Sequence, residues 1–403
     1  MFGFLLAVFI IGTYILFGKG QLLLIGLLLA GGYTLYFLKE RKSLPGELVV
    51  YFLWCAWSLT GIAVCPDKEA FFDSLLVVFQ IIIMSFAIIG ITEKRGSIGL
   101  NYMALAIGGI LLLGISFIGG EVQAGLSVAS KVQVKGLTRN PNYYSYGLLL
   151  SVIALLYFWG LKPSWKARAV LGLLMGAMAL GILVSASRKA FIGFLLLILL
   201  WLWMCYRKFV MQRLYLIIPM ILILIGLGLF TDYMLENTYM GKRFRKDFVE
   251  DPIHERRTDH VRVSLYKEGL HIIMENPLFG VGLGNFAVLS KHRLYSHSDY
   301  IEVASSTGII GFCIYFTVYL QLWRRLGRVK KRLHGYFIQY NIGLAKAAII
   351  TILVLALGRP NIYSNATWVF LSSLIGYFWH LERKIELFDR YQAHLRHQQR
   401  DLS

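Results

Sequence analysis

The fold is decided by the stretch MLENTYMGKRFRKDFVEDPIHERRTDHVRVSLYKEGLHIIMENPLFGVGLGNFAVLSKHRLYSHSDY (Met234–Tyr300), the only long polar interval in a chain otherwise made of apolar runs. It contains the basic cluster KRFRK (Lys242–Lys246), the glycine-rich turn NPLFGVGLGNF (Asn276–Phe286) and, at its end, HSDY (His297–Tyr300). Long loops held on a rigid scaffold often carry function. We therefore expect the functional site where this stretch meets the membrane.

The composition of the chain is that of an integral membrane protein. Of 403 residues, 57% are hydrophobic and only 16% are charged, which is too little polar surface for a soluble globule. The start MFGFLLAVFI lacks the features of a signal peptide, so we expect a retained first helix. The four cysteines do not suggest a disulfide framework. The net charge of +19 is compatible with nucleic acid, anionic lipid or an anionic substrate as partner, so the first test is where the charge lies. For a membrane protein we expect no nucleic-acid partner.

Twelve apolar stretches have about the length that spans a bilayer, roughly 20 residues. They cover approximately residues 2–18, 21–38, 47–65, 70–92, 98–119, 142–160, 167–185, 189–206, 214–233, 300–323, 339–357 and 364–381. The predicted fold class is therefore all-α, a polytopic bundle of about twelve transmembrane helices. We divide it into helices 1 to 9 (1–233), a long loop with interfacial helices (234–299), helices 10 to 12 (300–381) and a basic tail (382–403).

The distribution of lysine and arginine predicts the orientation. With the N-terminus in the cytoplasm, the connections that carry most of these residues fall on the cytoplasmic side. Both termini are then inside and the long loop is outside. The ten basic residues of that loop oppose the usual bias, which long loops tolerate. They either bind an anionic ligand or form a solvated face against lipid headgroups.

In this orientation the N-termini of the even-numbered helices point outward. Their unpaired amides and positive dipole ends attract anions. The sixth helix follows TRNPN (Thr138–Asn142), where Asn140 is a candidate N-cap and Pro141 the first helical residue. The eighth helix follows a small-residue run, with Ser187 as candidate cap and Arg188 in the first turn.

The tenth helix begins at the end of the polar stretch. Asp299 and Glu302 have capping-box spacing, so His297 is expected just outside the helix. A histidine near neutrality can take a proton from a hydroxyl that attacks an electrophilic carbon. His297 is therefore a candidate catalytic base, against the alternative of an ordinary loop histidine. Asp299 could orient His297 or cap the helix.

A helix is also predicted inside the polar stretch, ending near Pro277. Its apolar face carries Val261, Leu265 and Ile272. Arg262 and Tyr266, one turn apart, share the adjacent face. A loop helix of this kind can lie across the outer mouth of the bundle and direct Arg262 toward the eighth and tenth helices.

Arg188 and Arg262 are suited to binding a pyrophosphate. A guanidinium donates paired hydrogen bonds, and its charge persists at any physiological pH. The alternative for each arginine is contact with lipid headgroups or an ordinary ion pair.

Other kinds of site in the chain are disfavoured. The histidines lack metal-ligand spacing such as HExxH, and a DxD pair is missing, so no metal site is predicted. The glycines of Gly280–Gly284 do not match the GxGxxG nucleotide fingerprint and instead predict a tight turn that re-enters the membrane. The tyrosines of NYYSY (Asn142–Tyr146) fit either a sugar site or an interfacial aromatic belt.

Four short motifs occur in a particular order along the chain. They are GLTRNPNYYSYGL (Gly136–Leu148), SASRKAFIGF (Ser185–Phe194), Arg262 upstream of ENPLFGVGLGNF (Glu275–Phe286), and HSDYIEVASSTGIIGF (His297–Phe312). This ordered set resembles the O-antigen ligase family of bacterial polytopic glycosyltransferases. The first four and last two helices resemble the family only in hydropathy. The family more often has His-Asn where this chain has His-Ser.

The resemblance implies a GT-C-type, metal-independent and inverting glycosyltransferase, without a cofactor, at the periplasmic face of the bacterial inner membrane. Its donor would be an undecaprenyl-pyrophosphate-linked glycan, and its acceptor a sugar hydroxyl of lipid A-core. At the matching positions, His297 would activate the acceptor, and Arg188 and Arg262 would bind the pyrophosphate. Candidate supporting residues are Arg139, Asn142, Tyr266 and Asp299.

Three alternatives stay open, one of them a purely structural membrane protein. A polymerase shares the chemistry but uses a second lipid-linked glycan as acceptor. A glycolipid transporter would also use a basic outer vestibule. A transporter, however, predicts ionisable residues near the middle of several helices, where this chain has little besides Lys346.

Overall fold

The computed structural model of the protein describes residues 2–15, 31, 43–126, 134–138, 140–212 and 257–401. Every regular element in these ranges is helical. Outside them lie Arg139, the basic cluster Lys242–Lys246, nearly all of the predicted span 21–38 and the whole of the span 214–233.

Thirteen α-helices are numbered here in chain order over the described ranges. They are α1 (Phe2–Ile15), α2 (Gly46–Ser58, followed by the 3-10 turn Leu59–Ala63), α3 (Lys68–Arg95), α4 (Gly99–Ile118), α5 (Glu121–Leu126), α6 (Pro141–Gly160), α7 (Trp165–Val184), α8 (Arg188–Gln212), α9 (Arg257–Glu275), α10 (Asn285–Leu289), α11 (Asp299–Arg332), α12 (Tyr336–Ala356) and α13 (Asn365–Asp401). A second 3-10 turn covers Gly136–Thr138.

Among the described residues, eight helices are long and apolar enough to cross a membrane: α2 with its 3-10 turn, α3, α4, α6, α7, α8, α11 and α12. Each coincides with one of the predicted stretches, and α11 continues past its stretch to Arg332. α6 is the central helix, because 83% of its spanning residues are buried, against 22% in α7 and 17% in α8. α7 and α8 therefore present apolar faces outward, as lipid contact requires.

The last predicted span and the predicted tail form one helix. The stretch 364–381 lies in α13, which continues without a break to Asp401. This helix is not among the eight of spanning length and hydropathy. The tail is thus an extension of the final helix over its described residues, and twelve spans stays a prediction.

Buried ion pairs join the helices at the end of the bundle far from His297. Arg325 of α11 is 5% exposed and donates hydrogen bonds of 2.7 Å to each carboxylate oxygen of Glu47 in α2. Its third nitrogen donates to Glu382 of α13. Arg383 of α13 donates to Glu93 of α3 at 2.8 Å. A buried guanidinium is costly unless carboxylates pair with it. These contacts therefore fix the relative positions of α2, α3, α11 and α13.

The glycine-rich turn enters the bundle and breaks α11. Gly308 of α11 has φ +67° and ψ −177°. Just before it, the carbonyls of Ser305 and Ser306 accept hydrogen bonds from the amides of Val281 and Gly282, at 2.8 and 3.0 Å. The break lies roughly 14 Å below the start of α11 by helical rise. The predicted tight turn is therefore present, and its re-entry into the membrane stays a prediction.

The predicted loop helix is confirmed as α9. Leu265 and Ile272 are buried together with Val281 and Phe286 of the glycine turn, and Val261 packs against this cluster. α9 ends at Glu275, directly before the Asn-Pro pair. The apolar face thus packs on the turn, and this packing fixes where Arg262 and Tyr266 lie.

Candidate functional site

The N-termini of α6 and α8 are joined by a side-chain hydrogen bond. As predicted, Asn140 caps α6, accepting from the amide of Asn142 at 2.9 Å, and Pro141 is the first helical residue. The hydroxyl of Ser187 donates to Oδ1 of Asn142 at 2.8 Å. Ser187 directly precedes α8, and its carbonyl accepts from the amide of Phe191. Two of the recognised motifs therefore meet at these helix ends.

The start of α11 differs from the prediction. Ser298, and not Asp299, is the residue before the first helical position. The carboxylate of Glu302 reaches back to the amide of Ser296 at 2.9 Å. The prediction that Asp299 caps this helix is therefore wrong, although the helix does begin directly after the His-Ser pair.

Asp299 instead holds the loop between α12 and α13. One oxygen of this fully buried carboxylate accepts from the amides of Asn361 and Ile362, both at 2.8 Å, and the other accepts from the hydroxyl of Tyr315 at 3.1 Å. A buried carboxylate needs such donors to offset its lost hydration. The prediction that Asp299 orients His297 is therefore wrong. Asp299 contacts the loop that also carries Arg359, and its supporting role stays a prediction.

His297 lines a cavity at this end of the bundle. The cavity contains about 490 Å³ of empty space, part of it open to solvent. Its walls include Asn142, Tyr143, Ser187, Lys189, Tyr295 and Arg359. Residues from α6, α8, the segment before α11 and the α12–α13 loop thus line one cavity, although they are far apart in the sequence.

The environment of His297 keeps its imidazole neutral. The side chain is half-buried, and the Tyr295 ring lies 4.3 Å away between centroids. Burial and the positive charges of Lys189 and Arg262 lower the pKa of His297 to about 4. A neutral imidazole can accept a proton throughout the physiological pH range.

Arg262 and Tyr266 lie at the edge of the same region. The hydroxyl of Tyr266 donates to the carbonyl of Leu357 at 2.9 Å, which attaches α9 to the end of α12. Burial raises the pKa of Tyr266, and the charge of Arg262 opposes this effect. The charge of Arg262 also acts on His297. The predicted shared face of the two residues is confirmed.

Arg188 is the first residue of α8 and is half-buried. The positive charges of Arg188 and Arg262 both repel the ammonium of Lys189. The two arginines lie beside the cavity, whereas Lys189 lies in its wall. The structure therefore brings His297 and Asn142 to the cavity itself and places the two predicted phosphate ligands within electrostatic range of it.

Sequence reasoning missed two cations in the cavity wall. The ammonium of Lys189 donates to the carbonyl of Gly358. The guanidinium of Arg359 lies over the rings of Tyr143 and Tyr146, at 4.6 and 3.9 Å. The three-residue spacing of these tyrosines indicates an aromatic face able to hold a cation, but no local pattern links that face to an arginine more than 200 positions away.

The described residues of the cavity do not include a cluster of metal ligands. No group of three or more His, Cys, Asp or Glu in the described ranges is placed to hold a metal ion. The cavity lining itself includes the cations Lys189 and Arg359.

Comparison with known proteins supports the resemblance. Residues 173–316 match the family model described as O-antigen ligase. This range includes Arg188, Arg262 and His297, whereas Arg359 lies beyond it. A search of curated proteins found no significant match. The chain thus has the helices of a multi-pass membrane protein, and over residues 173–316 it is similar to the O-antigen ligase family.

Proposed function

We propose that the protein transfers a glycan from undecaprenyl pyrophosphate to a sugar hydroxyl of lipid A-core, at the periplasmic face of the inner membrane. The observation that carries this proposal is that His297 shares one cavity with the cations Lys189 and Arg359, at one end of an apolar bundle. A lipid-linked pyrophosphate needs cations at the membrane surface, and its acceptor needs a base.

In the proposed reaction His297 takes the proton of the acceptor hydroxyl. The acceptor oxygen attacks the anomeric carbon as the bond from that carbon to the pyrophosphate oxygen breaks. Arg188 and Arg262 bind the pyrophosphate and stabilise the negative charge that develops on it. Direct displacement inverts the anomeric carbon. The products are the extended acceptor and undecaprenyl pyrophosphate, and the protonated imidazole returns its proton to water.

Donor binding and base strength are coupled in this site. The charges of Lys189 and Arg262 help to hold the pKa of His297 low in the free protein. A bound pyrophosphate compensates these charges, so the pKa rises toward its ordinary value of about 6.5. The imidazole thus becomes a stronger base when the donor is present.

This coupling predicts a change in the pH profile of Arg262→Gln. His297 acts when neutral, so activity is lost as the pH falls through its pKa. In the wild type we expect the acid limb of kcat/KM near pH 4, following the pKa of about 4. Removing the charge of Arg262 moves the limb to higher pH. Lys291→Gln, which removes an exposed charge from the same segment, leaves it in place. An unmoved limb in Arg262→Gln contradicts the coupling.

Replacing Arg188 or Arg262 by lysine tests whether the paired N–H donors of a guanidinium are needed to bind the donor. Arg188→Lys and Arg262→Lys keep the charge but lose bidentate hydrogen bonding, so we expect KM for the donor to rise by about tenfold. Arg293→Lys, at an exposed position of the same polar segment, serves as control. Wild-type kinetics in both exchanges would favour contact with lipid headgroups.

The acceptor decides between ligase and polymerase. The protein is reconstituted in liposomes with undecaprenyl-pyrophosphate glycan and, in separate reactions, with lipid A-core or a second lipid-linked glycan. A glycosylated lipid A-core supports the ligase, and a lengthened lipid-linked glycan supports the polymerase. Movement of the glycolipid across the bilayer without either product would favour a transporter.

A further inference from the structure

The loop Leu357–Ser364 between α12 and α13 is held by residues from the recognised motifs. Tyr266 donates to Leu357, Lys189 donates to Gly358, and Asp299 accepts from two loop amides. The loop lies outside the matched range 173–316. It is therefore a part of the site that the family match does not include.

Arg359 of this loop is held in a fixed position in the cavity wall. Its guanidinium carbon lies 3.9 Å from the centroid of Tyr146 and 4.6 Å from that of Tyr143. One terminal nitrogen, Nη2, donates to the hydroxyl of Ser364 at 3.2 Å. Stacking holds the face of a guanidinium and leaves the N–H groups in its plane available for hydrogen bonds.

The other terminal nitrogen of Arg359, Nη1, is buried and has no hydrogen-bond partner. A buried donor on a cation costs free energy unless a ligand or water satisfies it. In the described part of the chain, Arg359 is absent from every ion pair. Asp299, the carboxylate that holds the same loop, is already occupied by its own donors.

The surroundings of Arg359 also disfavour an unliganded state. Its charge and those of Arg188 and Arg262 all act on Lys189. Like charges in a partly buried cavity repel each other, and an anion placed among them relieves the repulsion. The ligand expected here is therefore polyanionic.

We infer that Arg359 is a phosphate-binding residue that donates to the pyrophosphate of the polyprenyl-linked donor from the cavity wall. This inference rests on the proposed function and adds a third guanidinium to it. The competing explanation is that Arg359 only clamps the α12–α13 loop to α6 through the two tyrosines.

Lipid binding separates these two roles. The full chain in zwitterionic nanodiscs is titrated with undecaprenyl pyrophosphate and with undecaprenol, which lacks the phosphates. We expect Arg359→Gln to weaken binding of the pyrophosphate lipid at least tenfold and to change undecaprenol binding less than twofold. Arg359→Lys, which keeps the charge, gives an intermediate loss. Lys291→Gln binds both lipids as the wild type does.

Three outcomes would overturn the inference. Arg359→Gln could bind the pyrophosphate lipid as tightly as the wild type, or it could lose both lipids equally, as a structural clamp would. Phosphatidylglycerol could displace the pyrophosphate lipid at equal concentration, which would make Arg359 a headgroup contact. Thermal unfolding of Arg359→Lys and Arg359→Gln shows whether each variant is folded.

The proposed function is tested apart from this inference. If the wild type transfers glycan and Arg359→Gln keeps full donor affinity, only the role of Arg359 is lost. If the wild type does not bind undecaprenyl pyrophosphate, the donor assignment fails, and the role of Arg359 fails with it.

Discussion

His297→Asn is expected to slow glycan transfer by roughly 10²–10⁴-fold, the usual contribution of a general base. Burial and two neighbouring cations keep the imidazole neutral in the free protein. An amide at this position cannot take the proton of the acceptor hydroxyl. Donor binding is expected to stay close to that of the wild type, because the cations that bind the pyrophosphate are unchanged.

Asparagine is preferred to alanine for this test because of the backbone. His297 has φ +58°, in the left-handed region. Asparagine adopts this region far more readily than most residues, so His297→Asn removes the base with little added strain. His292→Asn, at an exposed position five residues earlier, is the matched control.

The decisive measurement is single-turnover transfer with the donor already bound. Transfer by His297→Asn at more than a tenth of the wild-type rate would remove the general-base role and leave the binding roles of the cations untouched. A loss of donor binding together with transfer would instead indicate that His297 contacts the pyrophosphate.

Local patterns were sufficient to predict much of the helical architecture. The spacing of Val261, Leu265 and Ile272 is a property of one helix face, and the structure buries that face as expected. The Asn140–Pro141 pair predicts its own cap, because the cap bond closes within three residues. Apolar length similarly predicts the eight helices of spanning size.

The parts of the site that were missed depend on distant partners. Asp299 has the spacing of a cap, yet its carboxylate binds amides 62 and 63 positions away. Arg359 looks like one basic residue in a short connection, and only the folded chain places it over Tyr143 and Tyr146. Single-sequence spacing contains no information on such pairs, because they arise from the packing of separate helices.

The second large effect is expected for Gly308→Ala, at the break in α11. Gly308 has φ +67° and ψ −177°, a region that is essentially restricted to glycine. A Cβ there would lie 2.1 Å from the carbonyl oxygen and 2.2 Å from the carbonyl carbon of Leu278. Both are backbone atoms, so relief requires the glycine-rich turn to move. Strain and overpacking together should cost more than about 3 kcal/mol.

The same helix offers a matched control in Gly327. A Cβ at Gly327 would meet nothing within 4 Å, and the residue is helical. Gly327→Ala is therefore expected to stabilise the protein by about 0.5–1 kcal/mol, the usual gain from replacing a helical glycine. Both variants are compared with the wild type by thermal unfolding in detergent and by the yield of monodisperse protein.

Gly308 also connects stability to the proposed site. The turn that packs on Gly308 carries Val281 and Phe286, and these residues hold the apolar face of α9. A displaced turn therefore displaces Arg262 on the same helix. If some Gly308→Ala protein folds, its KM for the donor should rise as in Arg262→Lys. Unfolding and donor kinetics equal to those of the wild type would mean that the docked turn does not position α9.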